Sequence, residues 1–509
     1  MSELAAGGVD VTLTIRVRGG TISYKKTYHE KQIKDQQIHL AVAPFVQHSQ
    51  IYFIGGLTRE GHELKMQPMN ANNGFSDLES QPKVRSREGM RSQYHMITQP
   101  FDILRLTLDE RYQGFVIPRL KHRSGGGDTY HFAVDFGTTN THIEYAVNDE
   151  KARGFSIPKS EKILTTLLDQ DRTSDDYSKN LEKYFYHEMF PDVLGEDTFV
   201  GFPTRCALTV NRNMDYTSSP EVFQQGNLSF YYERETLMNH LKPITNLKWS
   251  DFNDKAHETE LNMYIRNLLL LLYFKVMRQG GDPDQTRITW FYPTNMTYAK
   301  KAILKDHWER EFQDVFGFEP KKNQLTAIPE SIPPYYYYRN KQQALGLSVS
   351  VDIGGATSDI SVFDHAEPKL ISSVKFGGEA IFGDGYGGNR ENNAFYREYI
   401  NEVHSLLENN NFFNGTKDQT PQEKLEKFIG YTDESVEFCN FLFSLSRTNA
   451  NFDFLGRLKQ HPGLKLPFYI FYTALVYYIA KTMHHSGLEI PQHLLFSGSA
   501  SHSLSVLDA

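Results

Sequence analysis

The sequence predicts an α/β fold of two related α/β halves around a cleft, preceded by a β-rich N-terminal module. Three observations lead to this prediction. Apolar and polar residues alternate near the N-terminus, strand patterns alternate with helix patterns after residue 128, and one strand–turn–strand motif occurs twice. Strands separated by helices favour layered α/β architectures. The alternation favours a half-buried sheet in front of them.

The N-terminal module is predicted mainly from residue alternation. Val9–Val17 has the period of two that is typical of a half-buried strand. Ile38–Val42, Ile51–Ile54 and Ile103–Leu108 are short apolar runs that indicate further strands. Asn70–Met90 is polar and rich in turn formers, so we expect a long loop there. No catalytic pattern stands out in this module.

A chain of 509 residues is too long for one compact core, so several domains are expected. Ser124–Gly127 contains three consecutive glycines after a serine and predicts a flexible boundary. We therefore expect a β-rich module of unknown role at 1–127, the first half of an α/β domain at 128–345 and the second half at 346–509.

Composition narrows the possible partners and compartments. The net charge of −8 and the lack of a Lys/Arg run disfavour direct binding to nucleic acid. Cys206 and Cys439 are far apart and have no metal-ligand spacing, which favours a reducing compartment. The N-terminal residues do not have the pattern of a signal peptide. We therefore expect a cytoplasmic protein.

Two apolar runs raise the question of a membrane span. Leu268–Phe274 is bracketed by basic residues, and Leu466–Ala480 contains Pro467 near its start and is followed by Lys481. Both are shorter than the roughly 20 residues that a spanning helix needs. We therefore predict buried core helices and no membrane span.

After residue 128 the patterns of strands and helices alternate. The predicted strands are His131–Phe136, Thr141–Val147 and Ile288–Tyr292; the predicted helices are Leu261–Arg278, closed by Gly280, and a helix that begins at a cap at Asn295 or Thr297 and ends at Phe316. This order is typical of an α/β layered domain.

The repeated motif is the most informative feature of the sequence. HFAVDFGTTNTHIEYAV (131–147) and VSVDIGGATSDISVF (349–363) both read as strand, Asp, apolar residue, Gly, small polar turn and strand. Asp135 aligns with Asp352 and Gly137 with Gly354, 217 positions apart. One half-domain has therefore been used twice, according to this alignment.

The two turns have the composition of an anion-binding site. Thr138, Thr139 and Asn140 form the first turn; Gly355, Ala356 and Thr357 form the second. Small residues let backbone N–H groups converge on phosphate oxygens. Asp135 and Asp352 would supply oxygen ligands for Mg²⁺, which keeps several waters beside a polyphosphate. Each motif alone also fits an ordinary β-hairpin, but two matching copies favour a nucleotide clamp.

These residues resemble the actin, sugar-kinase and DnaK-chaperone superfamily. DFGTTNT at Asp135–Thr141 and DIGGATSDI at Asp352–Ile360 are similar to its two phosphate hairpins. Glu330, in a Pro-Glu 22 positions before Asp352, is similar to the family's connecting segment. Three further segments resemble family elements in the expected order: ITWFYPTN (288–295), KFGGEAIFG with Gly377 and Gly378, and LLFSGSAS with Gly498 and Ser499. The resemblance covers 128–509 and is strongest at the superfamily level.

The resemblance implies a cleft that binds ATP or ADP with Mg²⁺. It implies that Asp135 and Asp352 hold the metal through water, and that the backbone of Thr138 and Thr139 holds the β-phosphate. Gly137 and Asn140, next to them, are also expected to bind the nucleotide. The resemblance also implies that Gly354, Gly355, Ala356 and Thr357 bind the γ-phosphate. Gly377 and Gly378, of the Gly-Gly-Glu turn, would also bind the nucleotide, and Gly498 and Ser499 would border the adenosine. Glu330 would position the attacking water. Lys248 is a further candidate to reach the phosphates, as a chaperone lysine does, but we expect a solvated surface lysine in preference to this role.

The sequence also departs from the family pattern. Pro333 and Pro334 precede four tyrosines, Tyr335–Tyr338, where chaperones have small helical residues. The chain ends eight residues after Ser501, where family members continue with a helix that closes the adenosine side. We therefore expect that the chain is truncated at its C-terminus.

The expected function is an ATP-hydrolysing nucleotide switch that couples cleft closure to a protein partner or client. The Gly377-Gly378-Glu379 turn and the spacing from Glu330 to Asp352 are most similar to DnaK-type members. Three alternatives remain open, because fold does not decide function: a small-molecule kinase, in which the carboxylate deprotonates an acceptor hydroxyl; a self-assembling filament or scaffold protein; and a member that binds nucleotide without turnover.

Overall fold

The computed structural model shows a mixed α/β protein with several sheets, which confirms the predicted fold class at that level. It describes residues 2–4, 8–33, 38–59, 61–70, 76–78, 83–87, 90–122, 126–167, 189–195, 198, 200–212, 226–252, 254–343, 346–383, 388–409, 420–429, 435–445 and 452–508. Ser124 and Gly125 of the predicted boundary lie outside these residues.

The chain divides into two compact units. The first contains 1–42, 51–120 and 166–175, and the second contains 43–50, 121–165 and 176–509. The strands up to residue 127 are β1 (Ser2–Glu3), β2 (Val9–Val17), β3 (Gly20–Tyr28), β4 (His39–Ala43), β5 (Tyr52–Arg59), β6 (Leu64–Asn70), β7 (Ser76–Asp77), β8 (Lys83–Arg87), β9 (Met90–Ile97), β10 (Ile103–Leu108) and β11 (Tyr112–Val116).

The remaining described strands follow residue 127. They are β12 (Tyr130–Phe136), β13 (Asn140–Val147), β14 (Arg153–Gly154), β15 (Thr165–Leu167), β16 (Thr204–Arg205), β17 (Leu208–Asn211), β18 (Gly226–Leu228), β19 (Leu241–Ile244), β20 (Arg287–Tyr292), β21 (Leu325–Pro329), β22 (Ser348–Ile353), β23 (Ser358–Asp364), β24 (Glu367–Val374) and β25 (His493–Ser497).

The α-helices of the described residues all lie in the second unit. They are α1 (Tyr232–Glu235), α2 (Lys255–Arg278), α3 (Tyr298–Phe316), α4 (Pro333–Gln342), α5 (Glu379–Phe382), α6 (Ala394–Asn409), α7 (Pro421–Phe428), α8 (Ser435–Leu445), α9 (Phe454–Gln460) and α10 (Leu466–His485). The Thr297 side chain caps α3 by accepting a hydrogen bond from the Lys300 N–H, so the cap is at Thr297 rather than Asn295.

The first unit contains three sheets, and antiparallel pairing joins β1 to β2, β2 to β3, β10 to β11 and β6, β6 to β7, and β9 to β5 and β8. Its strand orders are β1-β2-β3, β11-β10-β6-β7 and β15-β4-β5-β9-β8. The strands predicted at residues 9, 38, 51 and 103 are therefore present, with small shifts of their ends. The predicted loop at Asn70–Met90 is wrong where the chain is described, because β7 and β8 lie within it and β8 pairs with β9. Residues 71–75, 79–82 and 88–89 of that range lie outside the described chain.

The two large sheets of the second unit share one arrangement. In the order β14-β13-β12-β20-β21, the strand β12 lies between its antiparallel hairpin partner β13 and the parallel strand β20. In the order β24-β23-β22-β25, the strand β22 lies between its antiparallel partner β23 and the parallel strand β25. The repeat in the sequence is therefore a repeat of sheet topology, and each Asp lies near the end of a central strand.

The two apolar helices differ in burial. In α2 the apolar run from Leu268 to Phe274 is fully buried, as predicted. In α10 only one face is buried, and Tyr469, Ile470 and Tyr477 are 50%, 61% and 64% exposed. The prediction of a buried core helix is thus wrong for half of α10.

The length of the α10 region also exceeds the prediction. Pro462–His485 forms a helical stretch of 24 residues that is long and apolar enough to cross a membrane by length and composition alone, and a third of its most apolar window is buried. Among the described residues, this is the one helix that passes such a test. Core helices of folded domains pass it as well.

Candidate functional site

The site begins with the two hairpin turns that the repeat predicts. Gly137 follows β12, and a Cβ atom there would lie 2.4 Å from the carbonyl oxygen of Asn140. In the second turn, the Gly354 N–H donates a hydrogen bond to the carbonyl oxygen of Thr357 (2.9 Å). Both turns are therefore closed by backbone contacts, and at Gly137 the contact leaves no room for a larger side chain.

The tertiary structure brings these two turns together. A Cβ atom on Gly355 would lie 3.0 Å from Thr139 Oγ1, so the second turn faces the first one directly. Ala356 lies in the same turn, between Gly355 and Thr357. Two hairpins that are distant in sequence thus line one cleft with small residues, which is the arrangement that a clamp around a polyphosphate needs.

The Gly-Gly-Glu turn supports the second hairpin from behind. The N–H groups of Gly378 and Glu379 donate to the carbonyl oxygens of Gly354 and Gly355, at 2.9 and 2.8 Å. A Cβ atom on Gly377 would lie 2.5 Å from the Gly355 carbonyl oxygen. The contact is backbone against backbone, so only glycine fits without a shift of the turn.

Gly498 lies at the end of β25, on the other side of β22. Its φ is +86°, and a Cβ atom there would lie 2.4 Å from the carbonyl oxygen of Ile353. Ser499 follows and begins a 3₁₀-helix, Ser499–Leu507. The preceding Ser497 donates a hydrogen bond from Oγ to Asp352 Oδ1 (2.8 Å). The late glycine turn is therefore joined to the second hairpin, and its contact with an adenosine stays a prediction.

Three carboxyl groups converge between the hairpins. Burial, together with the neighbouring charges of Asp135 and Glu330, raises the pKa of Asp352 to about 8. Burial also raises the pKa of Asp135 to about 6, with Glu330 adding to the effect. The charge of Glu330 thus makes ionisation of both aspartates harder, as expected when like charges share a site. Clustered carboxyl groups with raised pKa values are typical of functional sites.

Among the described residues, Lys248 is the basic side chain that forms an ion pair with a carboxylate of this cluster. Its ammonium group forms an ion pair with Glu330 Oε1, and the side chain is fully buried, whereas that of Glu330 is 15% exposed. Nζ also lies 5.5 Å from the centre of the Phe136 ring. The expectation that Lys248 is a solvated surface lysine is therefore wrong. Glu330 is likewise not a freely solvated loop residue.

Two residues of the site were not singled out from the sequence. Trp249 donates a hydrogen bond from Nε1 to Thr138 Oγ1 (3.0 Å) and thereby holds the first turn. Asp359 lies opposite Asp352 in the strand register, and burial together with the charge of Glu330 raises its pKa. Asp359 belongs to the second motif and could have been found there. Trp249 had no comparable signal, because its contact joins residues 111 positions apart.

The donor set fits Mg²⁺ that is held mainly through water. Asp135, Asp352 and Glu330 offer only oxygen ligands, and a divalent cation would offset the negative charge that helps to raise the pKa values of the two aspartates. Within the described ranges, no three His, Cys, Asp or Glu side chains are grouped closely enough to hold a metal ion by themselves. Waters and phosphate oxygens would have to complete the coordination.

Comparisons with known proteins return solved structures only. No protein-family profile matches the sequence, and no curated protein matches it. The matching structures include MreB5 of Spiroplasma citri bound to AMPPNP, which is 12% identical over 54% of this chain and 58% of that chain, with a TM-score of 0.30. The same protein bound to ADP matches at 11% identity over 60% and 63%, with a TM-score of 0.28.

A third match is an Aquifex aeolicus member of the Ppx/GppA protein family, 10% identical over 74% of this chain and 96% of that chain, with a TM-score of 0.26. The chain spans about three fifths of the length of the MreB5 structures that it matches. Because all three TM-scores lie below 0.5, we base no functional conclusion on these similarities.

The raised pKa of Asp352 predicts how stability depends on pH. The folded state keeps this carboxyl protonated up to about pH 8, whereas the unfolded chain ionises near 3.8, so its contribution to stability is lost as the pH rises between these values. Asp352→Asn removes this dependence. We expect the advantage of the variant over the metal-free wild type to grow between pH 5 and pH 8 by on the order of 3 kcal/mol, seen as a Tm difference. A constant difference would contradict the raised pKa.

Proposed function

We propose that this chain binds ATP with Mg²⁺ between the two hairpins and hydrolyses it. The observation that carries the proposal is that the structure places two glycine turns face to face, at residues 139 and 355, beside a cluster of three carboxyl groups. The backbone of Thr138 and Thr139 would hold the β-phosphate, and that of Gly354–Thr357 the γ-phosphate. Gly498 and Ser499 would border the adenosine.

Hydrolysis requires little covalent chemistry from the protein. A water attacks the γ-phosphorus in line, the bond from that phosphorus to the β–γ bridging oxygen breaks, and ADP and phosphate are released. Glu330 would orient this water and accept its proton, and the buried ion pair with Lys248 would position the carboxylate. Bound Mg²⁺ would neutralise charge on the phosphates.

We further propose that the nucleotide acts as a switch that couples cleft closure to a protein partner, as in DnaK-type members, in the cytoplasm. Contacts between the two halves of the second unit support such coupling. Arg205 Nη2 lies 3.6 Å from Glu437 Oε2, and Lys427 Nζ donates to Asn239 Oδ1 at 2.5 Å. Leu237, which lies between β18 and β19, packs into the core of the second half. Opening of the cleft would have to break these contacts.

The proposal is tested by calorimetric titration of ATP into the protein with Mg²⁺, followed by measurement of phosphate release. We expect wild type to bind and Asp352→Ala to bind at least about tenfold more weakly, because a carboxylate that orients the metal's waters is lost. Asp364→Ala, at the exposed end of β23, is the matched control and should bind like wild type. Absence of ATP binding by well-folded wild type, or equal binding by Asp352→Ala, would overturn the proposal.

A further inference from the structure

The first unit carries a β-ribbon that is exposed on both faces. This N-terminal ribbon consists of β2 and β3, joined by the two-residue turn Arg18-Gly19 and paired over nine residues without a bulge. We propose that the outer edge of β3 is a docking site for an extended segment of a protein partner with alternating acidic and apolar residues. The segment would add to the ribbon as a further strand.

The ribbon has unpaired edges. On one side, β1 pairs with only Val9 and Asp10, and on the other side no described strand pairs with β3. In a hairpin with a two-residue turn the flanking pair, Val17 and Gly20, is hydrogen-bonded, and outward-pointing pairs alternate with inward-pointing ones. The backbone groups of Thr21, Ser23 and Lys25 therefore point away from β2. Such an edge is a template for another strand.

One face of the ribbon is apolar although it is exposed. Leu13 lies opposite Tyr24, and Ile15 lies opposite Ile22, with exposed fractions of 58%, 60%, 44% and 44%. The other face is polar: Thr14 and Ser23 lie opposite each other, with their hydroxyl groups 3.2 Å apart. A two-stranded ribbon is marginally stable alone. An added strand would continue both faces if its own side chains alternated between apolar and polar.

The charge of the ribbon indicates which polar side chains the partner strand would carry. The polar face carries Arg16 and Lys25, the turn carries Arg18, and Lys26 lies on the other face opposite Val11, against one acid in the ribbon, Asp10. The whole chain, by contrast, has a net charge of −8. Asp10 already accepts from Thr27 at 2.6 Å and pairs with Lys25 at 2.7 Å. A second ribbon would bring like charges together, which disfavours self-pairing. An acidic strand would instead complement the basic residues.

The test uses a fluorescein-labelled synthetic peptide of about ten residues that alternates valine and glutamate, long enough to cover β3. The comparison peptide alternates valine and lysine. We expect the glutamate peptide to bind at least about tenfold more tightly by fluorescence anisotropy, and its binding to weaken with salt.

Two proline variants distinguish the edges. Ser23→Pro removes an outward N–H from β3, and Thr14→Pro removes the corresponding N–H from β2 directly opposite. Proline is tolerated at edge positions whose N–H faces solvent, so both ribbons should fold, as checked by circular dichroism. We expect Ser23→Pro to weaken binding of the glutamate peptide at least about tenfold and Thr14→Pro to leave it within about twofold.

Three outcomes would overturn the proposal. The first is equal binding of the glutamate and lysine peptides, or no binding of either one at millimolar concentration. The second is equal binding by wild type and a folded Ser23→Pro variant. The third is a dimer by light scattering that Ser23→Pro dissociates, which would make a second copy the occupant of the edge. None of these outcomes depends on nucleotide binding in the second unit.

Discussion

Glu330→Gln should lower the rate of ATP hydrolysis by about 100-fold or more while leaving ATP affinity within a few-fold of wild type. The amide keeps the size of the side chain but cannot accept a proton from the attacking water, and proton transfer by a positioned group contributes roughly 10²–10⁴-fold. The measurement is single-turnover phosphate release together with calorimetric titration of ATP.

Glu367→Gln is the matched control for this substitution. Glu367 lies on β24, its side chain is 77% exposed, and it pairs only with Lys369 among the contacts that the structure shows for it. We expect wild-type turnover from this variant. If Glu330→Gln released phosphate at the wild-type rate with normal ATP binding, Glu330 would have no part in positioning the water.

Gly377→Ala should weaken binding of ATP by about 100-fold or more and lower the Tm. The added methyl group would lie 2.5 Å from the Gly355 carbonyl oxygen, 2.7 Å from that of Gly354 and 2.7 Å from the Thr357 nitrogen. All three are backbone atoms of the second turn, so the turn itself has to move, and misplacement of about 1 Å can cost roughly 10²-fold. Calorimetric titration and a thermal melt measure the two effects.

Gly154→Ala separates this local effect from a general cost of replacing glycine. Gly154 also lies in the second unit, on β14, and a Cβ atom there meets nothing within 4 Å. We expect its Tm and its ATP affinity to match wild type. Unchanged ATP binding by Gly377→Ala would show that the second turn tolerates a shift and is not the site of the γ-phosphate.

The sequence alone predicts the local elements of the second unit well. The Asp-x-Gly repeat, the strands that flank it and a cap for α3 at Asn295 or Thr297 are all visible in short stretches, because hairpins and caps depend on neighbouring residues. The structure then shows that the cap is Thr297. Even Asp359 lies within a motif that was recognised. These features need no information about distant parts of the chain.

Burial and charge of the site could not be predicted in this way. Lys248 and Glu330 are 82 positions apart, and nothing in either neighbourhood indicates that one buries against the other. The apolar run of α10 likewise does not indicate whether one face or all faces of the helix are buried. In the structure only one face is buried. The prediction of a loop at Asn70–Met90 was wrong because the polar residues of β8 form a strand by pairing with β9, and this pairing depends on the tertiary structure.

The amino-acid sequence by itself therefore determined that two glycine turns with preceding aspartates occur and that they are related. Only the tertiary structure decided that Gly355 faces Thr139, that burial and the charge of Glu330 raise the pKa values of Asp135 and Asp352, and that Lys248 pairs with Glu330. The physical reason is that a turn depends on a few adjacent residues. A pKa depends on desolvation and on charges that chain folding brings together from far along the sequence.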